Sequence, residues 1–403
     1  MSARELLRRL ARARVVHTSG ALMLSQVLLG VSGIVAARAL GPSGRGIVVG
    51  IGAWMGIVPW LWLLGMNSAL GVRVAQRPRD VRIATTSALV FLAIVGVPVA
   101  IAAAFVVPRI VSGLGGGAAG IARWAVPLTV VMAMLSEMLL SISLARGRYF
   151  VFNGCRLLLP LIPLAVAIGF TMSGGLTPSL MVGANVGASA LCLLWLAAST
   201  PWRGASFDRR AFSADLRFGA TSAVSGWTGV ANDRLDFLLM SAFVSATQLG
   251  YYGVANNVMI PVTTISYAAA TLLTPRVAAL LGEESLGRDE IVRRQAALIW
   301  AVARRYVLLS VLGGAVLAAC APFVIPFVFG HSFRPTVTLI WILIPGFVAR
   351  TVTSIIASGA TGMRYPRVGN AAESVALVVT VVLLALLLPA FAATGAAIAS
   401  TAA

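Results

Sequence analysis

Residues 74–110 read VAQRPRDVRIATTSALVFLAIVGVPVAIAAAFVVPRI. Ile83–Val107 carries no charge, and Arg77, Arg79 and Arg82 crowd its leading edge. As an α-helix, a run of about 25 residues at ~1.5 Å per residue reaches roughly 37 Å. That exceeds the ~30 Å hydrocarbon core of a bilayer. The stretch therefore reads as a transmembrane helix behind a basic inner flank.

The rest of the chain repeats the pattern. Of its 403 residues, 59% are hydrophobic and 11% charged, with a mean hydropathy of +0.94. Soluble domains carry about 25% charged residues, so this chain cannot clothe itself in water. Further apolar runs cover Thr18–Ala37, Gly46–Gly71, Ala122–Ala145, Phe150–Thr171, Ser179–Ala198, Leu216–Val244, Gly250–Leu281, Leu298–Cys320, Thr336–Gly359 and Val368–Leu388. A twelfth begins near Thr394 and stops at Ala403 in mid-pattern, so the last helix is expected to be incomplete. The fold class is all-α: a polytopic membrane protein of about twelve transmembrane helices. Pro59, Pro98, Pro160, Pro163, Pro261 and Pro345 lie inside runs, where membrane helices tolerate them as kinks. The opening MSARELLRRLARAR intersperses Leu6, Leu7 and Leu10 with Arg and reads as a basic amphipathic surface helix. A signal peptide is the rival reading.

The formal net charge is +19, and every basic residue is Arg. No basic stretch is interleaved with stacking aromatics, so nucleic acid is not the expected partner. The Arg residues mark topology instead. With the N-terminus cytoplasmic, 23 of the 31 fall on inner segments and 5 (Arg38, Arg45, Arg109, Arg123 and Arg334) on outer ones. That bias is the positive-inside pattern, with the bacterial inner membrane as expected location. Outer loops are short, which leaves no periplasmic domain for enzyme chemistry. Cys155, Cys192 and Cys320 are far apart in sequence, and with His17 and His331 they form neither a disulfide framework nor a metal motif. No phosphate-loop signature is present; SGLGGGAAG lacks the Lys-Ser/Thr ending. Neither a metal, a cofactor nor a catalytic residue is expected.

The polar stretch Thr200–Asp215 follows the sixth run and suggests two six-helix lobes, residues 1–205 and 206–403. The lobes look weakly alike. ARGRYFVFN and GMRYPRVGN each set Arg-Tyr (Arg148-Tyr149, Arg364-Tyr365) at a cytoplasmic corner. ALGPSGRGIVVG and ATQLGYYGVANN each set Gly (Gly46, Gly250) before a new run. Six helices per lobe make this a parallel repeat, as in transporters with a central site.

SQVLLGVSGIVAARALGPSGRG, NDRLDFLLMSAFVSATQLGYYGVANNV and PFVFGHSFRPTVTLIWIL, in this order, resemble the polysaccharide-biosynthesis flippases. Those are the O-antigen-type members of the multidrug/oligosaccharidyl-lipid/polysaccharide exporter superfamily. The resemblance implies two lobes around a central cavity open alternately to each side. It also implies transport of a polyprenyl-diphosphate-linked glycan, with polysaccharide-assembly enzymes as neighbours.

Charges inside apolar runs are costly and mark cavities or partners. Glu137 and Arg156 lie nearly equally far from the turn at Gly147, and Arg350 and Glu373 straddle Gly362–Met363 with the order of signs reversed. Each couple is either a structural ion pair or a cavity site. In the second case Arg156 and Arg350 would bind a diphosphate or an acidic sugar through the planar guanidinium fork. Asp233 and Asp236 share a helix face, with Arg234 turned about 100° away. They are candidates for a coupling H⁺ or Na⁺, for sugar contact, or for structure. Asn185 and Asn257 could bind sugar hydroxyls or bridge helices. The expected function is a lipid-linked oligosaccharide flippase, with a cation-coupled multidrug antiporter and a non-transporting membrane scaffold as rivals.

Overall fold

The computed structural model describes residues 3–202, 206–282 and 287–402. Every regular element among them is helical. A hydrocarbon medium forces this, because a helix satisfies its backbone hydrogen bonds within one segment. In chain order the helices are α1 (Ala3–Trp62), α2 (Met66–Gln76), α3 (Val81–Phe91), α4 (Val97–Ile110), α5 (Ala118–Ala145) and α6 (Tyr149–Met172). There follow α7 (Pro178–Ser199), α8 (Arg209–Phe243), α9 (Ala246–Ala279), α10 (Arg288–Phe329), α11 (Thr336–Gly362) and α12 (Pro366–Ala402). Eight spans among the described residues are long and apolar enough to cross a membrane. The chain is a multi-pass membrane protein.

Two long helices are each broken once. In α1, Gly41 takes φ 65, ψ −179, a backbone region open almost only to glycine. It divides Gly20–Trp62 into two pieces of about 20 residues, each of crossing length. They cover the first expected run and most of the second, Gly46–Gly71, of which Met66–Gly71 belong to α2 instead. In α12 the break is at Ala392 (φ 48, ψ −125). A Cβ on Gly395 would stand 2.4 Å from the Leu387 carbonyl oxygen. In an unbroken helix, residues eight apart are separated by about 12 Å, so the chain folds back sharply here. The last piece seats against α11, with Thr401 Oγ1 donating to Ile342 O at 2.8 Å. A π-helical turn, Leu92–Gly96, joins α3 to α4 just before Pro98, whose ring has no N–H to donate. The opening amphipathic stretch lies within α1, and its side chains fall outside the described residues.

The chain forms two compact units, Met1–Val230 and Ala231–Ala403. The division lies inside α8, beyond the polar linker where the sequence suggested it. In the first unit α5 is central and packs on α1, α2, α3, α4, α6 and α7. Met134, Met138, Leu139 and Ile142 along it are fully buried. Small residues let neighbouring helices close up: Gly154 of α6 faces the Trp195 ring of α7, and Cys155 Sγ lies 3.9 Å from Cys192 O. The two cysteines, 37 positions apart in sequence, are neighbours across these helices. In the second unit α9, α10 and α11 meet around Leu273, Val277, Ala303 and Ile355.

The two Arg-Tyr corners share one hydrogen-bond pattern. Arg148 N donates to Ser143 O and Gly147 N to Leu144 O; Tyr365 N donates to Ala360 O and Arg364 N to Thr361 O. Both are Schellman ends, which require a left-handed residue just past the helix. That residue is Gly147 (φ 72) at the first corner and Arg364 (φ 69) at the second. The corners therefore correspond, but the Arg-Tyr pairs are one residue out of register. A non-glycine residue in the left-handed region costs roughly 1 kcal/mol. Arg364→Gly should raise the thermal midpoint in detergent by an amount equivalent to about 1 kcal/mol, while Arg364→Ala should leave it unchanged or lower it. Equal shifts for the two variants would remove the backbone explanation.

Candidate functional site

The α5–α6 hairpin brings Glu137 and Arg156 together. Arg156 Nη2 stands 3.8 Å from Glu137 Oε2, within ion-pair range but too far for a hydrogen bond. The guanidinium lies over the Phe152 ring, one turn back on α6, at 5.5 Å from its centroid. Its Nε is buried without a hydrogen-bond partner among the described residues. Cys155 and Gly154 commit neighbouring faces of α6 to α7, which leaves Arg156 turned toward α5. A guanidinium offers five N–H donors in a fixed fork. Glu137 and Phe152 hold this one by charge and by a ring face, and its bonding capacity stays largely unused.

Arg73 shows how a satisfied arginine looks in the same unit. Its Nε donates to both carboxylate oxygens of Asp215, at 2.9 and 2.8 Å, and its Nη2 to Ala211 O at 2.9 Å. Asp80 Oδ2 lies 3.5 Å from Nη1. The hydrogen bond to Asp215 outweighs burial and holds the guanidinium above its ordinary pKa. At the other end of α2, a Cβ on Gly65 would stand 2.2 Å from Gly219 O. Gly65 meets Gly219 while Arg73 meets Asp215 and Ala211, so α2 runs antiparallel along the start of α8. The interaction is a structural clamp between residues 142 positions apart. Nothing local in the sequence announces it.

Arg45 is a third case. The topology count sets it among outer-loop residues, yet it is 9% exposed and its Nε has no hydrogen-bond partner among the described residues. It sits just after the Gly41 break, on a turn where Gly44 approaches Pro178 and Ile47 approaches Gly116.

In the second unit Asp236 of α8 is buried. One oxygen accepts from Phe237 N and the other from the Tyr252 hydroxyl of α9. Tyr252 Oη also lies 2.9 Å from Ser400 Oγ on the last piece of α12. A buried polar chain thus ties three helices together, and the Phe237 ring packs edge-on against Tyr252 at 5.3 Å. Asp236 is one of the two carboxylates expected to share a helix face; the side chain of the other, Asp233, lies outside the described residues. Arg234 is exposed, as are Arg350 on α11 and Glu373 on α12. Asn232 Nδ2 donates to the Glu373 backbone oxygen at 3.0 Å. Asn185 donates back to Met181 O of its own helix at 2.8 Å, so that amide is already engaged; Asn257 is half-buried on α9. No cluster of three His, Cys, Asp or Glu among the described residues could hold a metal ion.

These arginines should respond oppositely to removal of charge. Asp215→Asn breaks a well-bonded, mostly buried pair and should cost about 2 kcal/mol in unfolding measurements, less than the ~3–5 of a fully buried pair. Arg45→Met removes a buried, incompletely bonded cation and should leave stability equal or raise it by ~1 kcal/mol. A loss of stability for Arg45→Met would show that unseen partners complete its bonding.

The chain can be set beside known proteins on this geometry. A family profile described as polysaccharide biosynthesis protein matches residues 35–338. No curated protein matches. Among solved structures, the lipid II flippase MurJ in an inward closed conformation is similar with a TM-score of 0.78 at 12% identity, over 96% of this chain and 84% of that one. An inward-facing multidrug resistance MATE family transporter of the MOP superfamily gives 0.71 at 14% identity, over 93% and 90%. A MOP superfamily transporter from Pyrococcus furiosus, described as having a binding pocket of reverse polarity, gives 0.52 at 14% identity, over 96% and 92%. Identities this low speak for a shared fold. The family profile spans most of the sequence, and on that ground the chain belongs to the polysaccharide biosynthesis protein family.

Proposed function

We propose that the chain is a flippase that moves a lipid-linked oligosaccharide, a glycan on a polyprenyl diphosphate, across the bacterial inner membrane by alternating access. Family membership and the fold shared with transporters support the reading. The observation that carries it is Arg156: a half-buried guanidinium held by Glu137 at 3.8 Å, with a buried Nε that has no hydrogen-bond partner among the described residues. A diphosphate supplies what that fork lacks, namely closely spaced anionic oxygens for bidentate, charge-assisted bonds. Exchanging Glu137 for a diphosphate would gain hydrogen bonds without opening a tight pair, since none is present at 3.8 Å.

In this reading the headgroup crosses the membrane while the polyprenyl tail stays in lipid. To Arg350 and Arg234 we assign further cationic contacts, and to Asn257 the sugar hydroxyls. Asp236, with Asp233 one turn before it, is where we place a coupling H⁺ or Na⁺. The N-terminus is cytoplasmic, no chemical step is catalysed, and polysaccharide-assembly enzymes act before and after transport. A multidrug antiporter would instead need a cavity dominated by carboxylates and aromatics for a cationic drug, and the intramembrane arginines Arg156 and Arg350 argue against it.

Proteoliposomes carrying a labelled polyprenyl-diphosphate glycan test this directly, with headgroup exposure read by an external glycosidase. Arg156→Ala combined with Arg350→Ala should slow exposure by at least about tenfold, the cost of losing ~1.4 kcal/mol of charge-assisted contact. The thermal midpoint should stay near that of the parent. Parent-like exposure by the double variant would overturn the assignment.

A further inference from the structure

The turn between α10 and α11 carries a groove that the transport reading does not use. PFVFGHSFRPTVTLIWIL covers it, from Pro326 to Leu343. α10 ends at Phe329, and Gly330 reverses the chain at φ 102. Phe333 then plugs inward and is fully buried. It packs against Phe329 at 6.1 Å and edge-on to Tyr251 at 6.2 Å. With Phe333 pinned inside, its neighbours His331 and Arg334 are turned out and exposed.

The wall of the groove follows from proline chemistry. Pro322 has no N–H, so the Ala318 carbonyl four residues earlier loses its helical donor. Trp341 of α11 replaces it, with its indole Nε1 donating to Ala318 O at 3.0 Å. The bond fixes the indole against α10 while leaving Trp341 half exposed. Phe323 and Phe327, four residues apart and so on one face of α10, stand 78% and 81% exposed. Together these residues, with Pro326 and Arg334, line a space of about 730 Å³ that contains no acidic side chain.

From this arrangement we infer that the groove binds an anionic glycerophospholipid, with an acyl chain against Phe323 and Phe327 and the phosphodiester on Arg334. α10 is a membrane span, so a ring pair this exposed meets acyl chains, and an occupant has to come from the bilayer. Tryptophan and arginine at a helix end match the headgroup level of a membrane. One guanidinium complements one phosphodiester charge. The inference stands on this turn alone and is independent of what the protein transports.

Native mass spectrometry of the purified full chain with phosphatidylglycerol, phosphatidylcholine or a polyprenyl diphosphate tests it. The parent should retain phosphatidylglycerol about tenfold more strongly than phosphatidylcholine. Arg334→Gln should abolish that preference, and Phe323→Ala with Phe327→Ala should weaken both phospholipids, with thermal midpoints unchanged because all three side chains are exposed. A phosphatidylglycerol carrying a photoreactive acyl chain should label peptides of α10 and α11. Undiminished preference in Arg334→Gln, labelling confined to other helices, or retention of the polyprenyl diphosphate alone would each overturn the proposal.

Discussion

A guanidinium inside a bilayer cannot borrow hydrogen bonds from water, so it must find acceptors in the protein or in a ligand. That constraint separates the arginines of this chain. Arg73 has its acceptors, two oxygens of Asp215 and one backbone carbonyl, and needs nothing more. Arg156 has a carboxylate at ion-pair distance, an aromatic face and an Nε without a hydrogen-bond partner among the described residues. Keeping a cation in that condition is unfavourable unless something else completes it during the working cycle. The functional account rests on this shortfall.

The scaffold around Arg156 is built from small residues and unusual backbone. Gly154 and Cys155 let α7 approach α6, which fixes the rotation of α6 and aims Arg156 at α5. The Schellman end at Gly147 sets the spacing of the α5–α6 hairpin, so that Glu137 and Arg156 meet at the same depth. In the second unit the Asp236–Tyr252–Ser400 chain fastens the last helical piece to α8 and α9. These links are directional hydrogen bonds in an environment where apolar side chains gain nothing by leaving lipid.

Much of this was legible beforehand because the bilayer imposes a simple code. Apolar runs mark most of the helices, and the nearly equal distances of Glu137 and Arg156 from Gly147 allow the pair found at 3.8 Å. The hidden parts share a cause: each depends on backbone geometry or on partners remote in sequence. Arg45 reads as a loop residue by charge counting, because only the fold buries it. The Arg-Tyr pairs of the two corners differ in register by one residue because Schellman ends depend on which residue goes left-handed, and nothing in the sequence marks Arg364 as that residue. Arg73 and Asp215 both look like inner-surface charges until α2 is laid along α8. Trp341 became informative only once its indole was seen to replace the N–H missing from Pro322.

On the proposed reading, what completes Arg156 is a large amphiphile with a compact anionic group. A diphosphate between glycan and polyprenol has that form. Equilibrium binding of a polyprenyl-diphosphate glycan to the protein in nanodiscs tests the claim most directly. Glu137→Gln, which frees the guanidinium, should bind as well as the parent or better, and Arg156→Gln should bind at least about tenfold more weakly. Equal affinity for Arg156→Gln and the parent would contradict the account, since the unused bonding capacity would then have no bearing on substrate.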